Sequence, residues 1–117
     1  MIKLIVLDVD GTLTDGKITY SSSGEETKSF DVADGLAIAV WTKKFGKKAA
    51  IITGRNSTIV EKRAKELNIT HLHQGIKNKQ EVLENILKQE GLSWHEVAAI
   101  GDDLNDYNML KRVGLSF

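Results

Sequence analysis

Short apolar runs alternate with longer amphipathic stretches along the chain. The runs Leu4–Leu7, Ala49–Ile52 and Val97–Ile100 contain no polar side chain, which is typical of strands buried on both faces of a parallel sheet. Two more strands are predicted at Ile69–His73 and Val113–Phe117. The pattern therefore predicts a sheet of five strands.

The stretches between these strands carry apolar residues at helical spacing. Helices are predicted at Leu36–Phe45, Thr58–Leu67, Lys79–Glu90 and Leu104–Arg112, and Gly46 and Gly91 end the first and third of them. The segment DVADG, Asp31–Gly35, is predicted to be a loop before the first helix. Strands that alternate with helices predict an α/β fold, a Rossmann-like doubly wound parallel sheet with helices on both faces.

A β-hairpin is predicted between the first strand and the first helix. Lys17–Tyr20 and Glu26–Phe30 alternate polar and β-prone residues on either side of a Ser-Ser-Ser-Gly turn. A projecting two-stranded ribbon would leave Ile18, Tyr20 and Phe30 exposed unless another surface covers them. The hairpin, an insertion at about residues 17–30, therefore predicts a homo-oligomer.

Composition narrows the class of protein. The 117 residues suffice for a single domain, and 16 basic residues balance 16 acidic ones, so we expect no nucleic-acid partner and no attraction to a membrane surface. The absence of cysteine fits a reducing compartment. No apolar run has the length of a membrane span and no signal peptide is recognisable, so a cytoplasmic location is expected.

Unusual polar clusters follow each of the first four predicted strands. They are Asp8 with Asp10, Thr53-Gly54-Arg55, Gln74-Gly75 and Gly101-Asp102-Asp103. The carboxyl ends of parallel strands meet at one edge of a sheet, where ligands of such folds bind. The sequence therefore predicts a polar site at that edge.

The individual clusters leave several interpretations open. Asp8 and Asp10 project to the same side of an extended segment, and two such charges require a cation or a shared proton between them, unless they form a simple acidic turn. Thr53 suits a phosphate site or a helix cap, and Arg55 suits either an anion or the solvent. Lys79 opens a helix, where a cation is mildly unfavourable unless it serves an anion.

Two metal-site alternatives are disfavoured by the sequence. An EF-hand calcium loop would require a Glu where Thr19 stands and a helix where Leu4–Leu7 is strand-like. A zinc site at His71 and His73 is disfavoured because neither residue adjoins the acidic clusters in the sequence.

The string DVDGTLTDG at 8–16 resembles the first motif of the haloacid dehalogenase superfamily of phosphotransferases, and the resemblance extends from Lys3 to about Leu115. It implies a nucleophile at Asp8, a general acid and base at Asp10, a phosphate-binding hydroxyl at Thr53 and a phosphate-binding cation at Lys79. It also implies a Mg²⁺ ion held by Asp8, Asp10 and Asp102.

Within that superfamily, the stretches LTDGKITYSSSGEETKSFDVADG, ITGR, VEKRAKELNITHLHQGIKNK and IGDDLNDYNMLKRVGLS resemble the capless phosphatases of 3-deoxy-D-manno-octulosonate 8-phosphate, which serve lipopolysaccharide biosynthesis. The resemblance implies a homotetramer whose hairpins pack against neighbouring subunits. It implies contacts to a sugar-acid phosphate substrate from Asp10, Asp31, Val32, Ala33, Asp34, Gly35, Arg55, Arg63 and Lys79.

The sequence departs from this family's pattern at two places. Ala39 stands where many relatives have a basic residue, and relatives continue past the GLSF-like stretch with a strand, a helix and a tail, so that part of the fold is expected to be absent from residues 1–117. Two alternative functions remain: a phosphatase of a nine-carbon sugar acid 9-phosphate, and a non-catalytic oligomerising module.

Overall fold

The computed structural model describes residues 1–9, 13–14, 19–20, 22–24, 26–28, 30, 32–100 and 113–116. The strands are β1 (Leu4–Leu7), β2 (Thr19–Tyr20), β3 (Glu26–Thr27), β4 (Lys48–Ile52), β5 (His71–His73), β6 (Val97–Ile100) and β7 (Leu115–Ser116). The α-helices are α1 (Val32–Ala39), α2 (Thr58–Glu66) and α3 (Lys79–Glu90). Among the described residues, five strands form a parallel sheet, as the sequence predicts, and their order is β5-β4-β1-β6-β7.

Helices cover both faces of this sheet. On one face, Leu83, Ile86 and Leu87 of α3 pack with side chains of β1, β4 and β6. On the other face, Ile38 of α1 and Val60 of α2 pack with other side chains of the same strands, among them Leu7 and Ile51. The predicted doubly wound α/β fold is therefore confirmed.

The strand order places a topological switch point beside β1. From β1 the chain moves outward through β4 and β5, then returns to the opposite side of β1 through β6 and β7. The connection that follows β1 leads to one side of the sheet, and the connection that follows β6 leads to the other side. The two connections therefore diverge at the carboxyl ends of β1 and β6. Ligands of open α/β sheets bind in the crevice at that position.

The first helix begins earlier than the sequence predicts. Residues 32–35 of the segment DVADG form the first turn of α1, so the prediction of a loop there is wrong. Gly35 packs directly against Arg63, and a Cβ there would displace the guanidinium of Arg63. After Ala39 the helix continues to Lys44 with wider turns, in which the N–H of Phe45 donates to the carbonyl of Val40 at 3.0 Å.

Other boundaries shift by smaller amounts. Strand β5 begins at His71 and not at Ile69, because the turn after α2 takes up the preceding residues: Asn68 has a φ of 56° and the N–H of Ile69 donates to the carbonyl of Ala64 at 2.9 Å. Helix α3 has its predicted bounds and ends at Gly91, whose φ is 66°. The helix predicted at Leu104–Arg112 lies outside the described residues.

The predicted hairpin is present as an antiparallel pairing of β2 with β3. Its return segment bonds back to the core through a bridge between Phe30 and Thr14. Phe30 is partly buried against the hydrophobic cluster of α1 and α2, so its own subunit supplies part of the covering surface that the sequence analysis requires for the hairpin. No helix in the described part of the chain is both long and apolar enough to span a membrane.

Candidate active site

Asp8 follows β1 directly and lies at the switch point. Its backbone N–H donates to the carbonyl of Ile100, the last residue of β6, at 3.1 Å. Its side chain follows the alternation of Leu4 and Val6, which belong to the cluster on the α3 face. The carboxylate of Asp8 is therefore directed to the side of the sheet on which α3 begins.

Lys79 is the first residue of α3 and meets Asp8 there. Its Nζ lies 3.4 Å from Oδ2 of Asp8, and the side chains are 1% and 8% exposed, respectively. The helix start that carries Lys79 is capped by Asn78, whose side chain accepts from the N–H of Glu81 at 3.2 Å. A buried cation at the positive end of a helix is unfavourable in isolation, and here the carboxylate of Asp8 compensates its charge.

The second oxygen of the Asp8 carboxylate is also engaged. Oδ1 accepts a hydrogen bond from the backbone N–H of Val9 at 2.8 Å. The carboxylate is thus held between a backbone donor and an ammonium group, which fixes its orientation at the end of β1. A fixed orientation suits a group that must attack or coordinate from one direction.

Thr53 directly follows the neighbouring strand β4 and is only 3% exposed. Its N–H donates to the carbonyl of His73 and its carbonyl accepts from the N–H of Ile76, both at 3.0 Å. Its hydroxyl oxygen accepts a long bond, 3.5 Å, from the N–H of Arg55. The segment after β5 therefore holds the segment after β4, and Thr53 lies at the same sheet edge as Asp8.

The predicted substrate-contacting residues of α1 and α2 form a separate group on the opposite face of the sheet. Ala33 and Asp34 are exposed, and Asp34 lines a groove of about 310 Å³ whose other lining residues are apolar. Gly35 lies directly against Arg63 of α2. The structure therefore brings Gly35 and Arg63 together, and Gly35 is buried beneath the Arg63 guanidinium.

Arg63 itself is held by several neighbours. Its Cζ lies 5.4 Å from the ring centroid of Phe30, within the range of a cation–π interaction, and its Nη1 lies 3.3 Å from Oε2 of Glu66. These contacts give Arg63 a role in joining the hairpin return to α2. Arg55, by contrast, is exposed in the turn before α2.

The acidic partners predicted for Asp8, which are Asp10 and Asp102, lie outside the described residues. Of the predicted substrate contacts, Asp31 also lies outside them, and Val32 is described only as the first residue of α1. The backbone bond from Asp8 to Ile100 nevertheless places Asp8 next to the point at which the segment with Asp102 begins. Within the described ranges, no three His, Asp or Glu side chains group into a metal site.

The two histidines of β5 have a structural environment of their own. Nε2 of His71 lies 2.9 Å from Oε1 of Glu90, and the His71 and His73 rings stack with centroids 6.5 Å apart. Burial, and secondly the neighbouring His71, lowers the pKa of His73 below its ordinary value. His71 thus joins the edge strand to the end of α3.

The sequence alone predicts no individual role for Gln74, which it places only in the polar cluster after β5. In the structure, Oε1 of Gln74 accepts from the N–H of Ser57 at 2.7 Å. The sequence feature that could have indicated this contact is the Gln-Gly pair, because Gly75 has a φ of 65° and permits the turn that directs Gln74 toward Ser57.

The sequence matches the haloacid dehalogenase-like hydrolase family over residues 22–114. The chain belongs to this family. It is 44% identical over 116 residues to the 3-deoxy-D-manno-octulosonate 8-phosphate phosphatase KdsC of Escherichia coli strain K12, an alignment that covers 98% of this chain and 61% of that protein. The chain thus spans about three-fifths of the length of the curated relatives it matches.

Two crystal structures show the same likeness in three dimensions. The 3-deoxy-D-manno-octulosonate 8-phosphate phosphatase of Moraxella catarrhalis, in complex with magnesium, phosphate and KDO, superposes with a TM-score of 0.91 at 47% identity over 97% of this chain and 64% of that one. The cobalt-bound deoxy-D-mannose-octulosonate 8-phosphate phosphatase of Haemophilus influenzae superposes with a TM-score of 0.90 at 37% identity, over 99% of this chain and 67% of that one.

Proposed function

We propose that this chain is a Mg²⁺-dependent phosphatase that hydrolyses 3-deoxy-D-manno-octulosonate 8-phosphate. The observation that carries the proposal is the buried contact between Lys79 and Asp8 at the switch point of the sheet. A buried carboxylate and a buried ammonium group at the edge where such folds bind ligands suit phosphoryl transfer. The identity to KdsC-type phosphatases supports the choice of substrate.

The residues at this edge are compatible with Mg²⁺. The proposed ligands Asp8, Asp10 and Asp102 offer only oxygen donors, which Mg²⁺ prefers. The N–H of Asp8 bonds to Ile100, two residues before Asp102 in the sequence, which supports a shared site. When bound, Mg²⁺ would offset the negative charge on the phosphate.

The proposed reaction assigns each step to a side chain. A carboxylate oxygen of Asp8 attacks phosphorus, the bond between phosphorus and the sugar oxygen breaks, and Asp10 protonates the departing oxygen. Asp10 then takes a proton from water, which attacks the aspartyl-phosphate and releases phosphate and free Asp8. Lys79 and Thr53 would stabilise the phosphoryl oxygens throughout.

We extend the proposal to substrate contacts and assembly. Asp10, Asp31–Gly35, Arg55, Arg63 and Lys79 would contact the sugar-acid phosphate, and a guanidinium fork suits a carboxylate. The enzyme would act in the cytoplasm as a homotetramer, with the hairpin 17–30 between subunits. Because Phe30 packs on its own subunit, the residues nearer the tip of the hairpin would make that contact, and light scattering at low micromolar concentration tests the assembly.

A side-by-side assay tests the proposed substrate. The purified 117-residue chain is given Mg²⁺ and equal concentrations of the octulosonate 8-phosphate or a nine-carbon sugar acid 9-phosphate, and phosphate release is followed. Faster release from the octulosonate is expected. Faster release from the nine-carbon substrate would reverse the assignment, and release from neither would contradict the enzymatic proposal for this chain.

A further inference from the structure

Four polar contacts join the turn after β4 to the turn after β5. Three are backbone bonds: Thr53 N–H to His73 O at 3.0 Å, Ile76 N–H to Thr53 O at 3.0 Å, and a longer one from Gly75 N–H to Arg55 O at 3.4 Å. The fourth, and the shortest, is the bond from the Ser57 N–H to Oε1 of Gln74 at 2.7 Å. Gln74 is thus the one side chain among these contacts.

The Gln74 bond closes the turn at the end farthest from the sheet. Ser57 is the residue before α2 and has extended backbone angles, and its own side chain makes no capping hydrogen bond. The Gln74 amide therefore supplies a short side-chain bond at the far end of the turn 53–57, beside the longer 3.4 Å backbone bond of Gly75.

Gly75 and Asn56 show how closely the two turns approach. Gly75 has a φ of 65°, and a Cβ there would lie 2.9 Å from the Asn56 side chain. One turn carries Thr53 and the other leads into Lys79, so the contacts between the turns join the two segments that carry the proposed phosphate-binding residues.

We infer that Gln74 is a positioning residue that holds the turn 53–57 in the shape that receives the substrate's phosphate. This inference rests on the proposed phosphatase function. A glutamine suits the role because its amide oxygen accepts the Ser57 N–H without placing a negative charge beside an incoming anion, as a carboxylate would.

The test separates the acceptor oxygen from the charge. Gln74→Met has nearly the same shape and no strong acceptor, Gln74→Glu keeps an acceptor but adds a charge, and Gln89→Met on the exposed side of α3 is the matched control. Three quantities are measured with Mg²⁺: hydrogen-exchange protection of the Ser57 amide, the Kd for inorganic phosphate, and kcat and KM for the octulosonate 8-phosphate.

Gln74→Met is expected to lose protection at the Ser57 amide. Its KM and its phosphate Kd should rise about five- to tenfold, the value of one neutral hydrogen bond, with kcat within about twofold because the turn would hold phosphate oxygens equally in the ground and transition states. Gln74→Glu should keep the protection. Its phosphate affinity should be low at low salt and recover as ionic strength rises, whereas the defect of Gln74→Met should not depend on salt.

Each outcome is decisive. Unchanged KM and phosphate Kd in a folded Gln74→Met, together with lost Ser57 protection, would overturn the inference, because the bond would then be structural only. If Gln74→Met does not fold, Gln74→Glu decides alone: recovery at high salt supports positioning, and a persistent defect contradicts it. An unmodified chain that binds no phosphate would instead contradict the proposed function.

Discussion

The ammonium group of Lys79 lies 3.4 Å from a carboxylate oxygen of Asp8, and both side chains are almost completely buried. The contact joins the first residue of α3 to the end of β1, 71 positions earlier in the sequence. A buried ion pair adds little net stability, but loss of one partner leaves the other charge uncompensated. The proposed site and the stability of the fold are therefore coupled.

This coupling predicts the behaviour of variants of the pair. Lys79→Met and Asp8→Asn should each lower the free energy of unfolding by about 3 kcal/mol, because each leaves one buried charge alone. In the double variant, the loss of unfolding free energy should be at least ~1 kcal/mol smaller than the sum of the two single losses. Urea denaturation measures all three, with Lys62→Met on the exposed face of α2 as the control. Strictly additive losses would show that the two charges do not interact.

Gly35 and Arg63 provide a steric prediction. Gly35→Ala should destabilise the protein by about 1–3 kcal/mol, because the new methyl group would enter the space of the Arg63 guanidinium. In an Arg63→Ala background the same change should stabilise by ~0.5–1 kcal/mol, since alanine is the better helix former. Thermal and urea unfolding of the four proteins check this. The same sign in both backgrounds would mean that the guanidinium does not occupy this space.

The difference between prediction and structure at these residues has a physical cause. The parallel sheet and the bounds of α3 follow from local patterns, so the sequence predicts them. Gly35 lies against Arg63, 28 positions later in the sequence, and Phe30 contacts the same side chain. Such contacts form only when the helices and strands pack together, so the local spacing of apolar residues does not predict them.

The candidate site was likewise predictable from the sequence only in part. Its composition was predictable, because the polar clusters follow the apolar runs and the strand ends share one edge. The pairing of Asp8 with Lys79 and the bond from Ser57 to Gln74 depend on how two segments approach each other. These two contacts could therefore be identified only from the folded structure.

Glu96 predicts a pH dependence of stability. A hydrogen bond from Lys3, then bonds from the backbone and side chain of Ser93, lower the pKa of Glu96 from 4.5 to about 2. Because the folded pKa is the lower one, this stabilisation is fully present above pH 4.5 and is lost as the pH falls toward 2. The stability difference between the unmodified protein and Glu96→Gln should therefore shrink over that range in chemical denaturation experiments.

The control for this titration is Glu61→Gln, on the exposed surface of α2. Its effect on stability should vary less with pH, and high salt should weaken the effect of Glu96→Gln because Lys3 is 55% exposed. A difference between the unmodified protein and Glu96→Gln that stays constant from pH 6 to pH 3 would contradict the role of Lys3 and Ser93.

Metal removal tests the proposed oxygen ligands. EDTA should abolish phosphate release and added Mg²⁺ should restore it, since none of the proposed ligands is a histidine. His71→Gln with His73→Gln should keep this Mg²⁺ response, because His71 is engaged with Glu90. Stoichiometric zinc lost from the double variant together with activity would place the metal at β5.

The most direct test of the account is the turnover of Asp8→Asn on 3-deoxy-D-manno-octulosonate 8-phosphate with Mg²⁺, measured beside the unmodified chain under conditions in which both are folded. Asparagine keeps the size of the side chain but provides neither the nucleophile nor the charge. The account predicts phosphate release by the unmodified chain and a loss of at least about a hundredfold in the variant. A variant that keeps more than roughly a few per cent of that turnover would contradict the assignment of Asp8 as the nucleophile.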